Sequence, residues 1–193
     1  MKYFIFDVET TGLDPQRHTI TQLGYIRKDE TRSVQTLLNI RPLDDTDINM
    51  RALAVQGKSL DQILIEGLEP AKAYQRLLLE LGEWVDKFNK QDKFIVVGYN
   101  VRFDLEFLRA WFLKVDPLSG KFFGSWFHTL AIDIYSVAAI YLGYKFLSMP
   151  SGKLIDVAKA FGVKVDEKST HNALYDAIIV EEIFNTLKEG IKK

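Results

Sequence analysis

The chain has 193 residues, of which 47% are hydrophobic and 26% charged, with a formal net charge of −1. This is ordinary globular usage; it excludes a low-complexity chain and gives no global basic signature of nucleic-acid binding, although a local patch or a bound cation can act beneath a neutral total. There is no cysteine, so disulfides and thiolate metal sites are excluded. Neither a signal-peptide pattern nor an apolar stretch long enough to cross a bilayer is present, so the expectation is one soluble, cytoplasmic domain over residues 1–193, with no membrane partner.

In chain order, the aromatic and β-branched run Lys2–Phe6 predicts a central strand, and Gly12-Leu13-Asp14-Pro15 is turn chemistry. Thr19–Arg27 and Ser33–Ile40 read as two further strands, and short connections suggest an antiparallel meander. Met50–Gln56 fits a short helix. From Pro70 the period changes: Ala73, Leu77, Leu81, Trp84 and Phe88 recur at helical spacing. Phe94–Gly98 is an apolar run typical of a buried parallel strand, and Asp104–Leu113 is helical again. Asp116–Phe127 is irregular and aromatic and reads as an elaborated loop. Leu130–Asp133 fits a last strand, followed by a helix through about Leu142. Lys153–Phe161 predicts a helix stopped by Gly162, and Ala173, Ala177, Val180, Phe184 and Leu187 form a final helical stripe. Strands first and then alternating helices and strands indicate an α/β fold with a mixed sheet covered by helices.

Three segments place carboxylates where packed elements end. Asp7 and Glu9 follow the first strand at i and i+2, so they share one face while Val8 points to the other. Asn100 and Asp104 lie where the strand Phe94–Gly98 gives way to a helix. Each has a plain alternative, Asn100 as a helix cap and Asp104 as a first-turn acid favoured by the helix dipole. Asp176 borders the apolar stripe of the last helix, and His171 stands just before that helix. Carboxylates at packed borders need a positive partner. Oxygen ligands without thiolate suit Mg2+ or Mn2+, and a pair of such ions suits in-line phosphoryl displacement, for which a histidine can take the proton of the attacking water. A metal-free ion-pair cluster, with Arg17, Arg102 or Lys153 as counter-charges, is the competing explanation.

The order of these segments resembles the DEDDh-type 3′–5′ exonucleases, a family that includes the proofreading epsilon subunit of bacterial DNA polymerase III and ribonuclease T. The resemblance rests on Asp7-Val8-Glu9-Thr10-Thr11-Gly12-Leu13, on Asn100-Val101-Arg102-Phe103-Asp104 and on His171-Asn172-Ala173-Leu174-Tyr175-Asp176, and it spans nearly the whole chain. It implies a ribonuclease-H-like fold, a mixed five-stranded sheet with helices on both faces. It implies two Mg2+ or Mn2+ ions held by Asp7, Glu9, Asp104 and Asp176, with Asp7 bridging them and His171 as general base. The 3′-terminal nucleotide would be held by backbone near Thr10 and Thr11 and by Leu13 as an apolar wedge. Asn100 and Phe103 complete the substrate-binding candidates, Phe103 either beneath the site or against a base.

The implied activity is release of nucleoside 5′-monophosphates from a DNA 3′ end, preferably single-stranded or frayed. An RNA-processing 3′–5′ exoribonuclease is one alternative, since sugar choice depends on how a site treats the 2′-OH. A non-catalytic nucleic-acid-binding domain of the same fold is another, disfavoured because all four acids and the histidine are present. The sequence departs from the family pattern at Gln22, where a glutamate is common, at Gln56, where a histidine is common, and at Asp133-Ile134, the nearest match to an acid-threonine pair.

A DNA polymerase is a further implied partner. The chain ends at Gly190-Ile191-Lys192-Lys193 without a long tether, which favours a stand-alone enzyme or a partner bound through a surface. Phe122, Phe123, Trp126 and Phe127 are expected to pack against the domain rather than to stack bases, and exposed rings there could equally form a homodimer surface. Arg27, Lys28 and Arg32 read as a solvated basic cluster, and His18 and His128 as incidental.

Overall fold

A computed structural model describes residues 1–166, 169 and 171–191, the side chain of Ile191 excepted; the chain end at Lys192 and Lys193 lies outside the described residues. Three strands come first, β1 (Lys2–Thr10), β2 (Ile20–Lys28) and β3 (Ser33–Asn39). The helices α1 (Met50–Val55), α2 (Leu60–Glu66) and α3 (Pro70–Gly82) lead to β4 (Phe94–Gly98) and α4 (Arg102–Val115). A 3-10 turn and a short helix α5 (Phe123–Trp126) precede β5 (Phe127–Asp133). Then come α6 (Ile134–Leu142), α7 (Tyr144–Leu147), α8 (Leu154–Ala160) and α9 (Ala173–Ile191). The five strands form one sheet in the order β3-β2-β1-β4-β5, antiparallel from β1 to β3 and parallel from β1 through β4 to β5. This is the mixed five-stranded sheet anticipated above, with helices on both faces.

The alternation in β1 builds the two layers. Phe4, Phe6 and Val8 pack with α3 and α4 on one face, while Tyr3 and Ile5 pack with α6, α8 and α9 on the other. Continuing that second face toward the end of β1 puts Asp7 and Glu9 on the side of α9. A register shift between Glu9 and Thr10 bends the pairing with β2, which is why Ile20 joins Leu23 and Tyr25 in the same layer despite its odd spacing.

Several elements differ from the sequence reading. The helix begun at Pro70 stops at Gly82, so the periodic stripe does not extend to Phe88. Trp84 and Val85 turn back into the core, while Phe88 lies 85% exposed in the connection to β4. Glycine is a poor helix interior residue, and Lys2 Nζ clamps the new path by bonding the Trp84 carbonyl and Asp92. The stretch Leu60–Glu66, unassigned in the sequence, is helical behind a capping box of Ser59 and Gln62. The aromatic loop is shorter than expected: β5 begins at Phe127, and Phe123, Trp126 and Phe127 are buried, as expected for packing rather than stacking, with only Phe122 of the four turned out. Arg27 is not solvated. It is buried and bonded to Glu80, Lys28 pairs with Glu181, and the Arg32 guanidinium stands 3.6 Å over the Trp84 ring.

Candidate active site

The β1–β4 pairing ends at Ile5 and Val97, so β1 runs on alone past its parallel neighbour. There Asp104, buried in the first turn of α4, accepts the Val8 N–H through Oδ1 at 3.0 Å. Its carboxylate therefore serves as more than a helix-start acid: it bonds the buried backbone of the strand that carries Asp7 and Glu9. Asn100 does not cap α4 with its side chain. It sits in the left-handed region at φ 53°, and its N–H donates to Asp133 Oδ1 at 2.8 Å. Asp133 also accepts from Tyr135 N–H and from the Ser136 hydroxyl, which ties the end of β5 to the turn that launches Asp104.

Asp176 reaches the same end of the sheet because α9 comes unusually close to it. Gly24, the register partner of Asp7, faces the backbone of Ala173 and Leu174, where a Cβ would lie 2.1 Å from Leu174 N. Only glycine permits that approach. The first three N–H groups of α9 are taken: Ala173 by Gln22 Oε1 at 3.1 Å, and Leu174 and Tyr175 by Asn172 Oδ1. Gln22 is buried opposite Glu9 in register, and its amide donates to Asn39 at 2.8 Å. His171, exposed and left-handed at φ 65°, precedes this cap, and its backbone N–H donates to the Asp176 carboxylate. A non-glycine residue held there costs roughly 1–3 kcal/mol, a strain that clusters at functional sites.

The electrostatics identify the geometry. Ligand atoms of Glu9, His171 and Asp176 lie within 4.8 Å of one another, a spacing that can hold a metal ion. Burial pushes the Asp7 carboxyl well above its usual range, and Asp104, Asp176 and Glu9 push it further. Burial and the charges of Asp176 and Asp104 raise Glu9 to about 8. Asp104 rises to about 7 through burial, against the pull of the Val8 N–H and with repulsion from Asp176 and Asp133. Asp176 rises to about 6 through burial, moderated by the N–H and positive charge of His171. No lysine or arginine enters any of these shifts. Two of the counter-charges suggested by the sequence are engaged elsewhere, Arg17 with Asp47 and Arg102 with Glu106. Four acids, Asp104 buried and Asp7, Glu9 and Asp176 half-buried, with His171 but no lysine or arginine among the charges that shift them, fit divalent cations bound by oxygen.

The remaining predicted residues take varied positions. Leu13 is exposed at the tip of the loop after β1. The Thr10 hydroxyl donates to Gly12 O, and Thr11, fully buried, donates to Asp47 O and accepts Thr19 N–H, so both hydroxyls hold the loop. Phe103 lies half-buried with its ring 4.8 Å from Phe107. Gln56, a departure from the family pattern, donates to Thr10 O at 2.7 Å and accepts from the Thr21 hydroxyl, binding α1 to the strand end. A cavity of about 410 Å3 opens beside His171, lined among others by Gln22, Gln56, Lys58, Asn172 and Tyr175, with none of the four acids in its lining.

Comparison with known proteins decides the class. The family described as "RNase_T: Exonuclease" matches residues 4–184. The chain belongs to this exonuclease family. It is a DEDDh-type 3′–5′ exonuclease, as the motif order suggested. Among its relatives, the 3′–5′ DNA exonuclease Cap18 of Escherichia coli is 30% identical over 191 residues, covering 97% of this chain and 91% of that protein. The PolC-type DNA polymerase III of Ureaplasma parvum is 25% identical over 193 residues, but the match spans 98% of this chain and only 12% of the polymerase. Escherichia coli Exonuclease I, solved with a dT13 oligonucleotide, shares the ribonuclease-H-like fold with a TM-score of 0.74 at 22% identity, over 97% of this chain and 41% of that one. Among the described residues no helix is long and apolar enough to cross a membrane.

Proposed function

We propose that this exonuclease removes nucleoside 5′-monophosphates from the 3′ end of single-stranded or frayed DNA, as one cytoplasmic domain over residues 1–193. The observation that carries the reading is the grouping of Glu9, Asp176 and His171 within 4.8 Å, with Asp7 and Asp104 near enough to repel the same carboxylates and no lysine or arginine among the charges that shift them. DNA is preferred over RNA because the relative that this chain covers almost end to end, Cap18, is named a DNA exonuclease.

Asp7, Glu9, Asp104 and Asp176 would hold two Mg2+ or Mn2+ ions. When bound, such ions neutralise the charge that develops on the attacking and leaving oxygens of an in-line displacement. A ring nitrogen of His171 takes the proton from the attacking water; its exposure at the rim leaves it open to solvent on one side and within reach of Glu9 and Asp176 on the other. Water adds to phosphorus, the bond to the penultimate 3′ oxygen breaks, and that oxygen regains a proton from solvent. The terminal nucleotide leaves with the phosphate on its 5′ carbon. Leu13 bears on the terminal base from the exposed loop tip, backbone near Thr10 and Thr11 supports its sugar, and Asn100 and Phe103 border the strand.

The test is digestion of 5′-labelled DNA and RNA oligonucleotides, single- and double-stranded, with Mg2+, Mn2+ or a chelator. Single-stranded DNA should shorten one nucleotide at a time from the 3′ end, stop with chelator and resume with either ion. Faster loss of RNA would reassign the substrate, and chelator-resistant digestion would remove the metal reading.

A further inference from the structure

The opposite end of the sheet carries a surface that this chemistry does not use. The connection from α3 into β4 and the turn before β5 both reach the N-terminal ends of the parallel strands, away from the carboxylates. Phe88 is 85% exposed and Phe122 65% exposed, and both line a cavity of about 440 Å3 together with Trp126, Lys87 and Lys90. The Lys87 ammonium lies 5.2 Å from the centre of the Phe88 ring and 5.8 Å from that of Trp126. Lys87 and Trp126 also border the next cavity, where they meet Leu79, itself 73% exposed. Neither cavity has an acidic residue in its lining, although acids outnumber bases in the chain as a whole.

Exposed rings set between ammonium groups complement a ligand that is polyanionic and carries flat π faces, as single-stranded nucleic acid does. A purely apolar protein partner would have to cover Lys87 and Lys90 without neutralising them, at a desolvation cost. We propose that Phe88, Phe122, Lys87 and Lys90 form a second binding site for single-stranded nucleic acid, which anchors the upstream part of a strand whose 3′ end lies at the carboxylates. The inference rests on the exonuclease reading. The nine residues of β1 are eight steps from the anchoring end to the catalytic end, about 26 Å at ~3.3 Å per residue. At about 3.4 Å per stacked nucleotide, a trinucleotide is too short to occupy both sites and a twenty-nucleotide strand is long enough.

The experiment compares wild type with Phe88→Ala/Phe122→Ala and with Lys87→Gln/Lys90→Gln. It measures binding of fluorescent oligo-dT of three and twenty nucleotides in chelator, and hydrolysis of the same oligonucleotides with Mg2+. The expected result is a loss of about tenfold or more in affinity for the long strand in the phenylalanine variant, with trinucleotide hydrolysis unchanged. The lysine variant should bind the long strand more weakly and lower the slope of log affinity against log salt by about 1.4, two phosphate contacts at ~0.7 each. Equal affinity for the long strand in wild type and both variants overturns the second site, whatever the catalytic result. Absence of trinucleotide hydrolysis in wild type counts against the exonuclease reading instead, and loss of trinucleotide hydrolysis along with long-strand binding in both variants overturns the separation of the two sites. The lysine pair is wholly on the surface, so it decides the matter if the phenylalanine variant fails to fold.

Discussion

Two clusters of buried and half-buried charge lie toward opposite ends of the β1–β2 ladder and follow opposite rules. At one, Arg27 is buried with its guanidinium 2.9 Å from Glu80, bonded also to the Glu80 carbonyl, and Tyr25 donates to the same carboxylate at 2.7 Å. Burial raises the Glu80 carboxyl, but the hydrogen bonds from Tyr25 and Arg76 and the Arg27 charge outweigh it, and the net shift is downward. At the other, burial is reinforced by neighbouring acids, and Asp7, Glu9, Asp104 and Asp176 all shift upward. Both clusters withdraw charge from water at least in part, but the first is complete within the chain and the second is not. The contrast separates a structural ion pair from a site that requires a ligand: a completed cluster should lose stability when an acid is removed, and an incomplete one should gain it.

The strongest challenge to that contrast is Asp7→Asn. Hydrolysis should fall below detection while the fold persists and the metal-free protein melts at a higher temperature, because a half-buried carboxylate repelled by its neighbours has become neutral. Near-normal turnover would remove the two-ion mechanism, and a lower melting temperature would show that Asp7 has a positive partner within the protein. His171→Ala should lower the rate by about 10²–10⁴ and remove the limb of the pH–rate profile that reports the base. An unchanged profile would assign the proton to another group. Glu80→Gln should behave in the opposite way to Asp7→Asn. Leaving the buried Arg27 charge without the Glu80 carboxylate should cost about 3 kcal/mol, a melting shift of about 6–12 °C for a chain of this size, with kcat unchanged. If Glu80→Gln also lowered kcat, the two clusters would not be independent.

The parts of this design that were legible in the sequence are those fixed by local pattern. β1 is an apolar run that ends on polar residues, β4 an apolar run closed by Gly98, and α9 carries its stripe at regular spacing, so the segments bearing Asp7, Glu9, Asp104 and Asp176 could be placed before any geometry was known. The groups that aim those acids were not legible. Gln22 bonds Asn39 and Ala173, 17 and 151 residues away, and Asp133 bonds Asn100 across 33 residues. In the sequence they stand out only as departures from a family pattern, because their partners exist only once the sheet is assembled. Gly24 is similar: nothing in TQLGY announces that a helix nearly 150 residues later rests on it. The basic trio Arg27, Lys28 and Arg32 misleads for the same reason, since the glutamates and the tryptophan that receive it come from distant segments. α2 is a different omission, for the Ser59–Gln62 capping box was a local signal.

The smallest expected effect tests the contrast most directly, through its sign. Ordinary carboxyl values are 3.8 for aspartate and 4.5 for glutamate, whereas in the folded protein Asp176 lies at about 6, Asp104 at about 7 and Glu9 at about 8. Between these limits the folded state binds more protons than the unfolded chain, so stability falls as pH rises. The metal-free protein should therefore lose melting temperature steadily from about pH 4 to about pH 8, by several degrees, and Asp7→Asn should flatten that slope. The Arg27–Glu80 pair works the other way: its carboxyl is depressed, so its stabilisation is present above the ordinary glutamate value and is lost only as pH falls through the folded one. Cations compete with protons for the same oxygens. Added Mg2+ should consequently raise the melting temperature more at about pH 8 than at about pH 5, with proton release on binding. A melting temperature that stays flat over this range, with the same Mg2+ response at both ends, would mean that the four acids ionise without penalty and that the site is already neutralised from within.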